Sequence, residues 1–577
     1  MDYLKEYRNW CASDALDAEE RAELAAIAGD PAEIEERFYC ELEFGTAGLR
    51  GVIRMGTNGM NVPVVRRATQ GLADYIRSID GGAARGVCIA YDSRRFSQRF
   101  ARETACVLAA NGVRVRLFST LHAVPQLSFA VRHQGCIAGV VITASHNPKK
   151  YNGYKVYWSH GGQAAPEQAA EIFACIRKVP FFTARSCDYD AAVQDGRIGL
   201  IGAEEDEAYY AATKSVLLRP ELLKTRGGSL PIVYTPLHGA GNIPVREILK
   251  QAGLSRVYVV PEQELPDPEF PTVAAPNPED PGAFRLAMAL AEEKGATVIL
   301  ATDPDSDRLG VAVKKRDGQW SVLMGNQIGC ILLHHILSER RAAGTLPDNG
   351  VVVKSIVSSR LADAICERNG VELINVLTGF RFISEKIDAF EKSGEKTFLF
   401  GFEESFGFLA GGFSRDKDAI CAAMLAAEAC VCYGERGMTL YDALQEIYKT
   451  YGYYREKVTS YTLEGKAGME RIAACMEELR RHPLTAAAGI SVCAVEDYAE
   501  NCRTRSDGTR ERIGLPKSNM LRFLLEKGAW VVVRPSGTEP KLKLYIGAND
   551  ASEAALERQL AALFDACDGM LRERLGL

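Results

Sequence analysis

Residues 136–148 read Cys-Ile-Ala-Gly-Val-Val-Ile-Thr-Ala-Ser-His-Asn-Pro. The run from Cys136 to Thr143 is short and apolar, which predicts a buried strand, and the polar stretch up to Pro148 predicts a turn that closes it. Ser145 therefore sits where a strand ends, the usual place for a site in an α/β sheet. Working outward, Gly86–Tyr91, Val113–Phe118, Ile232–Thr235 and Thr297–Thr302 have the same β-branched character. Between such runs lie amphipathic patterns, among them Phe100–Ala110, Val245–Ala252 and Gly282–Lys294. Strands alternating with helices at this spacing predict repeated α/β units with largely parallel sheets.

The tail has another texture. From about Tyr453 onward it carries the strand signals Ala529–Val533 and Lys541–Ile546 and an amphipathic pattern over Ala551–Leu571, which predicts an α+β domain. Pro261–Pro281 is rich in Pro, Asp and Glu and predicts an ordered surface loop or lid rather than a regular element. Breaks are also expected at Asp190–Asp206 and at Lys314–Gln319.

Composition bounds the function. The chain has 577 residues, so domains of about 100–200 residues imply three to five of them. Hydrophobic residues make up 47% and charged residues 25%, which is globular usage. Lys plus Arg number 69 against 75 Asp plus Glu, a net charge of -6, which argues against a dedicated nucleic-acid or anionic-membrane binder. Early charges at the N-terminus argue against a signal peptide, and Ala419–Tyr433, interrupted by Glu428, is too short to span a bilayer and reads as a buried helix. Sixteen cysteines without a CxxC pair read as reduced thiols, and a cytoplasmic enzyme is the expected class.

Four motifs carry chemistry. In the first, Thr143 and Asn147 stand where a lipase-type elbow needs glycine, so Ser145 is not an acyl-transfer nucleophile of that kind, and a helix-capping role is the plainer alternative. Tyr151-Asn152-Gly153-Tyr154-Lys155 follows it. The second is Asp303-Pro304-Asp305-Ser306-Asp307-Arg308, again after an apolar run. Three carboxylates on alternate residues repel one another unless a cation lies between them, and hard oxygen ligands suit Mg²⁺ or Ca²⁺. Arg308 and Lys314 occupy the positions where an EF-hand needs Gly and Glu. The third is Arg534-Pro535-Ser536-Gly537-Thr538-Glu539-Pro540, an anion grip or a simple hairpin turn in equal measure. The fourth, Gly401-Phe402-Glu403-Glu404-Ser405-Phe406-Gly407, offers acids and a hydroxyl to sugar hydroxyls or to solvent.

In this order and spacing the four motifs resemble those of the α-D-phosphohexomutases, over nearly the whole chain from Gly45-Thr46-Ala47-Gly48-Leu49-Arg50-Gly51 to the tail, and within that family the long phosphoglucomutase branch. The resemblance implies three related α/β domains plus a C-terminal α+β domain around a central cleft, here 1–203, 204–318, 319–452 and 453–577. It implies that Ser145 is a phosphoserine and, with Asp303, Asp305 and Asp307, a ligand of Mg²⁺. Glu403 and Ser405 then hold sugar hydroxyls, and Thr378, Gly379 and Arg381 match a sugar-orienting loop. Arg534, Ser536, Gly537 and Thr538 hold the phosphate that is not transferring, and Arg50, His146 and Lys155 line the reaction centre. Many relatives carry Lys at Arg381. Arg cannot act as a base, which moves that role to Lys155, whose pKa is expected to fall beside Mg²⁺ and Arg50.

The implied reaction interconverts glucose 1-phosphate and glucose 6-phosphate through phosphoserine and a glucose 1,6-bisphosphate intermediate. The partners are sugar phosphates, with neither nucleic acid nor membrane. Phosphopentomutase and glucose 1,6-bisphosphate synthase are the alternatives within the family. A non-catalytic sugar-phosphate sensor would not need Ser145 together with three Asp residues, and a two-metal phosphatase lacks a second carboxylate or His cluster. Two smaller strand-end motifs, Tyr91-Asp92-Ser93-Arg94 and Tyr234-Thr235-Pro236-Leu237-His238-Gly239, brace neighbouring loops or contact substrate. His334 and His335, in an apolar helical stretch, read as packing or surface residues.

Overall fold

The structure, a computed structural model, describes residues 2–43, 48–463, 465–536 and 541–577. It divides into two compact units: Met1–Met324 with Ser384–Gly394 and Ser405–Thr439, and Gly325–Ile383 with Glu395–Glu404 and Leu440–Leu577.

In the first unit, strands β1 (Gly48–Val52), β2 (Val87–Tyr91), β3 (Val115–Phe118), β4 (Ala138–Ile142), β5 (Tyr151–Trp158) and β6 (Ile198–Ile201) form one sheet in the order β1-β5-β4-β2-β3-β6. The inner strands β2, β3 and β4 are parallel, and β1 and β5 run antiparallel on one side. Every residue of β2 and β4 is buried, the pattern of a sheet covered on both faces. A second sheet is built from β7 (Ile232–Thr235), β8 (Val257–Val259), β9 (Val298–Thr302), β10 (Leu309–Lys314) and β11 (Trp320–Val322), in the order β11-β10-β9-β7-β8. The second unit holds the parallel strands β12 (Gly350–Ser355), β13 (Glu372–Val376) and β14 (Thr397–Glu403).

These three sheets share one arrangement. In each parallel trio the first strand lies in the centre, flanked by the second and the third: β2 between β3 and β4, β7 between β8 and β9, β12 between β13 and β14. In each, the loop after the third strand carries a sequence motif: Ser145 after β4, Asp303 after β9, and Glu403 at the end of β14. The three α/β layers are thus related, as the family resemblance implied.

The tail is α+β. Tyr453–Thr462, Lys541–Asp550, Trp530–Pro535, Leu521–Leu525 and Ile490–Asp497 pair antiparallel in that order, with Cys502–Arg505 and Arg510–Arg512 beyond. The helices Gly465–Arg481 and Glu553–Leu575 supply Leu479, Leu556, Leu563 and Leu571 to the core on this sheet.

Three sequence expectations change. The break at Asp190–Asp206 contains β6, which pairs with β3 as the sheet edge. Four residues with mixed burial give too short a pattern to read as a strand. The break at Lys314–Gln319 is the hairpin turn between β10 and β11, closed by the Lys315 N–H on the Gln319 carbonyl at 2.8 Å. The loop Pro261–Pro281 begins with one helical turn, Pro261–Glu264, started by its own proline. The apolar stretch does form a buried helix, Ala419–Gly434. Its Glu428 carboxylate accepts the Leu218 and Arg219 N–H groups at 2.9 and 2.7 Å, which explains an acid inside an apolar helix. Among the described residues no helix is long and apolar enough to cross a membrane.

Candidate active site

The strand ends of the first unit gather its motifs. The register sets Tyr91 beside Ile142, so Asp92 and Thr143 leave neighbouring strands at the same edge. It sets Lys155 of β5 against Val141 of β4, and Arg50 of β1 against Gly153. Gly153 is required there, since a Cβ would lie 2.6 Å from the Thr143 carbonyl oxygen.

Ser145 is buried, with φ at +51°, a left-handed conformation costing about 1–3 kcal/mol for a residue with a side chain. Its Oγ donates to Asp303 Oδ2 at 2.6 Å and lies 3.2 Å from His146 Nδ1. His146 is half-buried, and burial together with the charges of Arg308 and Arg50 drives its pKa well below the usual value, leaving a neutral imidazole. Arg50 donates to Asn147 Oδ1 at 3.3 Å.

The acidic loop meets the serine loop. Asp303, Asp305 and Asp307 are all buried, and one ligand oxygen from each lies within 4.8 Å of the others. Asp303 Oδ1 accepts the N–H groups of Asp307 and Arg308 at 3.1 and 3.0 Å, which curls the loop tightly. Burial and the two neighbouring carboxylates push the Asp303 pKa well up. Burial opposes ionisation of Asp305 as well, but the Lys155 ammonium and a hydrogen bond with Asp303 hold its pKa below the ordinary value. Lys155 Nζ lies 3.0 Å from Asp305 Oδ2 and 3.9 Å from Asp307 Oδ2. The Lys155 expected beside cations therefore has acids as its partners.

This loop fits a divalent cation. Asp305 Oδ1 and Asp307 Oδ1 are buried without a hydrogen-bond partner among the described residues, and an unpartnered buried carboxylate oxygen is costly unless a cation meets it. The donor set is all hard oxygen, as Mg²⁺ or Ca²⁺ prefers.

Sequence reasoning missed Lys417, whose Nζ lies 3.0 Å from Asp307 Oδ2 and 3.2 Å from Asp416 Oδ1. Gly407 makes the approach possible, because a Cβ there would lie 2.2 Å from Lys417 Cδ. The available signal was the run Arg415-Asp416-Lys417-Asp418, four charges directly ahead of an apolar helix. Ser405 belongs to this first unit, on the turn whose next residue, Phe406, accepts the Leu309 N–H at 3.0 Å.

The second unit gathers the other expected residues. The Gly379 N–H, at φ +123°, donates to Glu403 Oε1 at 2.6 Å, and Glu403 is buried. Thr378 Oγ1 is buried without a hydrogen-bond partner among the described residues. Arg381 stacks on Phe382, its Cζ 4.6 Å from the ring centroid. Tyr545, also missed from sequence, joins two motifs. Burial and Glu404 push its pKa up, while Arg534 hydrogen-bonds it and pulls the other way. The Ser536 N–H donates to the Lys541 carbonyl at 2.7 Å. Gly537 and Thr538 lie outside the described residues. A further buried cation, Lys354 of β12, donates to Asn375 Oδ1 at 2.8 Å and pairs with Asp363 at 3.1 Å.

Three related α/β layers and an α+β tail, with a hydroxyl set against a carboxylate trio, are the marks of a phosphohexomutase, an intramolecular phosphotransferase. Models of the phosphoglucomutase/phosphomannomutase family match in succession: α/β/α domain I over residues 41–182, domain II over 207–318, domain III over 324–451 and the C-terminal domain over 483–566. A phosphoglucomutase of Staphylococcus saprophyticus is 37% identical over 507 residues, covering 87% of this chain and 90% of the relative. One of Staphylococcus haemolyticus is 37% identical over 517 residues, covering 89% and 92%. The open form of the Paramecium phosphoprotein parafusin, a phosphoglucomutase, shares the fold with a TM-score of 0.69 at 17% identity, over 93% of this chain and 96% of that one. A phosphoglucomutase/phosphomannomutase family protein from Burkholderia thailandensis does so with a TM-score of 0.64 at 19% identity, over 92% and 97%. The chain belongs to the phosphoglucomutase/phosphomannomutase family.

Proposed function

We propose that this chain is a phosphoglucomutase, interconverting α-D-glucose 1-phosphate and glucose 6-phosphate through a phosphoserine at Ser145 and a glucose 1,6-bisphosphate intermediate. The observation that carries the reading is the Ser145 Oγ at 2.6 Å from Asp303 within a buried carboxylate trio. Identity of 37% to phosphoglucomutases over most of the chain favours glucose as the sugar.

The phosphoryl group leaves Ser145 Oγ for a free sugar hydroxyl, whose proton departs as the new P–O bond forms. After the bisphosphate turns over, Ser145 Oγ takes the other phosphoryl group. Asp303, Asp305 and Asp307, with an oxygen of phosphorylated Ser145, would hold Mg²⁺, which neutralises charge on the phosphoryl oxygens. Lys155 and Arg50 add positive charge beside Ser145, where phosphoryl transfer spreads negative charge over three oxygens. His146 stands beside the reacting oxygen with Nδ1 3.2 Å from Oγ, and burial with the charges of Arg308 and Arg50 keeps its imidazole from adding a further positive charge there. Glu403, set by the Gly379 N–H, and the unpartnered Thr378 hydroxyl suit sugar hydroxyls, as does Ser405. Arg534, with Ser536, Gly537 and Thr538, suits the phosphate that stays, and Arg381 flanks the sugar loop. Buried cysteines such as Cys88, Cys136, Cys330 and Cys421 suit the reducing interior of a cytoplasmic enzyme.

The test is a phosphorus NMR time course with glucose 1-phosphate, Mg²⁺ and trace glucose 1,6-bisphosphate, repeated with ribose 1-phosphate. Rapid glucose 6-phosphate formation with slow pentose turnover is expected. Fast pentose conversion with little glucose turnover makes the chain a phosphopentomutase, and dependence on a separate phosphoryl donor makes it a bisphosphate synthase.

A further inference from the structure

Arg94, in the motif Tyr91-Asp92-Ser93-Arg94, has a side chain with no exposed surface, as does its partner Asp92, 3.6 Å away. Its guanidinium collects four carbonyls of a single turn. One terminal nitrogen, Nη1, donates to Pro148 and Tyr151 at 3.1 and 3.0 Å. The other, Nη2, donates to Ser145 at 2.5 Å and to Asn147. Asp92 completes the frame. It accepts the Arg94 N–H at 2.9 Å, the Ser97 hydroxyl at 2.7 Å and the Thr143 hydroxyl at 2.6 Å. Thr143 Oγ1 in turn accepts the Ser145 N–H at 2.8 Å. Both polar groups of the Ser145 backbone are thus tied to one buried ion pair, the carbonyl through Arg94 and the amide through Thr143 and Asp92.

The frame is closed from outside by the loop Pro261–Pro281. Phe270 covers the guanidinium, with Cζ 5.2 Å from the ring centroid. The neighbouring Glu269 pairs with Arg95 and, at 2.9 Å, with Lys149, which lies within the serine turn. His238 anchors the same loop through the Leu265 carbonyl at 3.2 Å and Thr272 Oγ1 at 2.9 Å.

We propose that Arg94 is a positioning residue for phosphoryl transfer, fixing Ser145 in the left-handed conformation that aims its Oγ at Asp303. The proposal rests on Ser145 as the phosphoryl carrier. The terminal N–H groups of Arg94 are committed to four carbonyls, and Nε, without a hydrogen-bond partner among the described residues, is buried 3.6 Å from Asp92, so the guanidinium presents no exposed donor to a phosphate. Its effect therefore runs through Ser145. A lysine ammonium offers three donors from one point and cannot span the four acceptors that a planar fork reaches.

Two variants test this: Arg94→Lys, and the pair Asp92→Asn with Arg94→Gln, which removes both buried charges at once. Each is assayed for kcat and KM with glucose 1-phosphate, for the rate at which glucose 1,6-bisphosphate loads phosphate onto Ser145 (by peptide mass), and for cooperative unfolding. In the folded variants kcat and the loading rate are expected to fall about 100-fold, the scale for a small misplacement of a reacting group, with KM nearly unchanged. A folded variant with wild-type kcat and loading rate overturns the proposal, as does an effect confined to KM. Failure of both variants to fold also overturns it, by making Arg94 a folding residue. Absence of phosphate on Ser145 in the wild-type protein instead overturns the phosphoserine reading beneath it.

Discussion

The Oγ of Ser145 lies 2.6 Å from Oδ2 of Asp303, across 158 residues of sequence. Two strand-end loops from two different sheets are thereby brought to one point. One loop offers a nucleophilic oxygen, and the other a set of carboxylates whose mutual repulsion a cation relieves.

That contact makes Ser145 the first residue to remove. Ser145→Ala deletes one hydroxyl at a position whose neighbours are polar, so the fold is expected to survive with a melting temperature within a few degrees of wild type. Turnover of glucose 1-phosphate is expected to drop to background in the phosphorus NMR assay, with no phosphate recovered on the peptide containing residue 145. Near-normal activity in this variant would remove the phosphoserine mechanism.

The acidic loop predicts a linkage between cation binding and stability. A ligand that binds only the folded state at about 100 times its Kd stabilises by about 2.7 kcal/mol. Mg²⁺ is therefore expected to raise the wild-type melting temperature relative to EDTA. Asp305→Asn removes one of the three charges, so most of that rise is expected to vanish, and activity to stay severely reduced at saturating Mg²⁺. A variant that keeps both the thermal shift and wild-type kinetics places the cation elsewhere.

Much of this site was legible in the sequence because its chemistry is local. Three Asp on alternate residues, or a Ser in a polar turn after an apolar run, identify themselves without reference to any other segment. What stayed hidden depends on partners far along the chain. Arg94 reads as an ordinary strand-end arginine until four carbonyls of residues 145–151 converge on it. Lys417 acquires meaning only from Asp307, and Tyr545 only from Glu404 and Arg534. The fold divides the same way. Strands β2, β3, β4, β7 and β9 announced themselves as short β-branched runs, while β6 and the short β8 and β11, marginal in length and burial, take their place from the sheets they join.

Close packing behind the acidic loop gives a second structural test. A Cβ on Gly239 would lie 2.4 Å from Pro304 Cα, and the Pro304 carbonyl accepts the Ala240 N–H at 2.8 Å. Backbone on both sides leaves no flexible side chain to yield. Gly239→Ala is expected to cost about 1–3 kcal/mol in urea unfolding, the range for overpacking, and to shift the loop that bears Asp303 and Asp305. Mg²⁺ affinity, read from the thermal shift, is expected to fall with it. Unchanged stability and unchanged affinity would show that the loop position tolerates the methyl group.

Asp418 gives the pH prediction. It is fully buried at the start of the helix Ala419–Gly434, where it accepts the Cys421 N–H and the Tyr209 hydroxyl, both at 2.8 Å. Burial pushes its pKa up to about 7 despite these hydrogen bonds. In the unfolded chain an aspartate titrates near about 3.9. Between those values the folded protein binds a proton that the unfolded chain has released, so stability falls as pH rises from about 4 to about 7, then levels off. The full difference corresponds to roughly 4 kcal/mol as an upper figure. Asn at this position keeps an acceptor oxygen and carries no charge. Asp418→Asn is therefore expected to flatten the slope between pH 5 and 8 and to be more stable than wild type at pH 8, with both proteins unfolded by urea in EDTA. Equal slopes for the two proteins would show that Asp418 is ionised in the fold throughout this range.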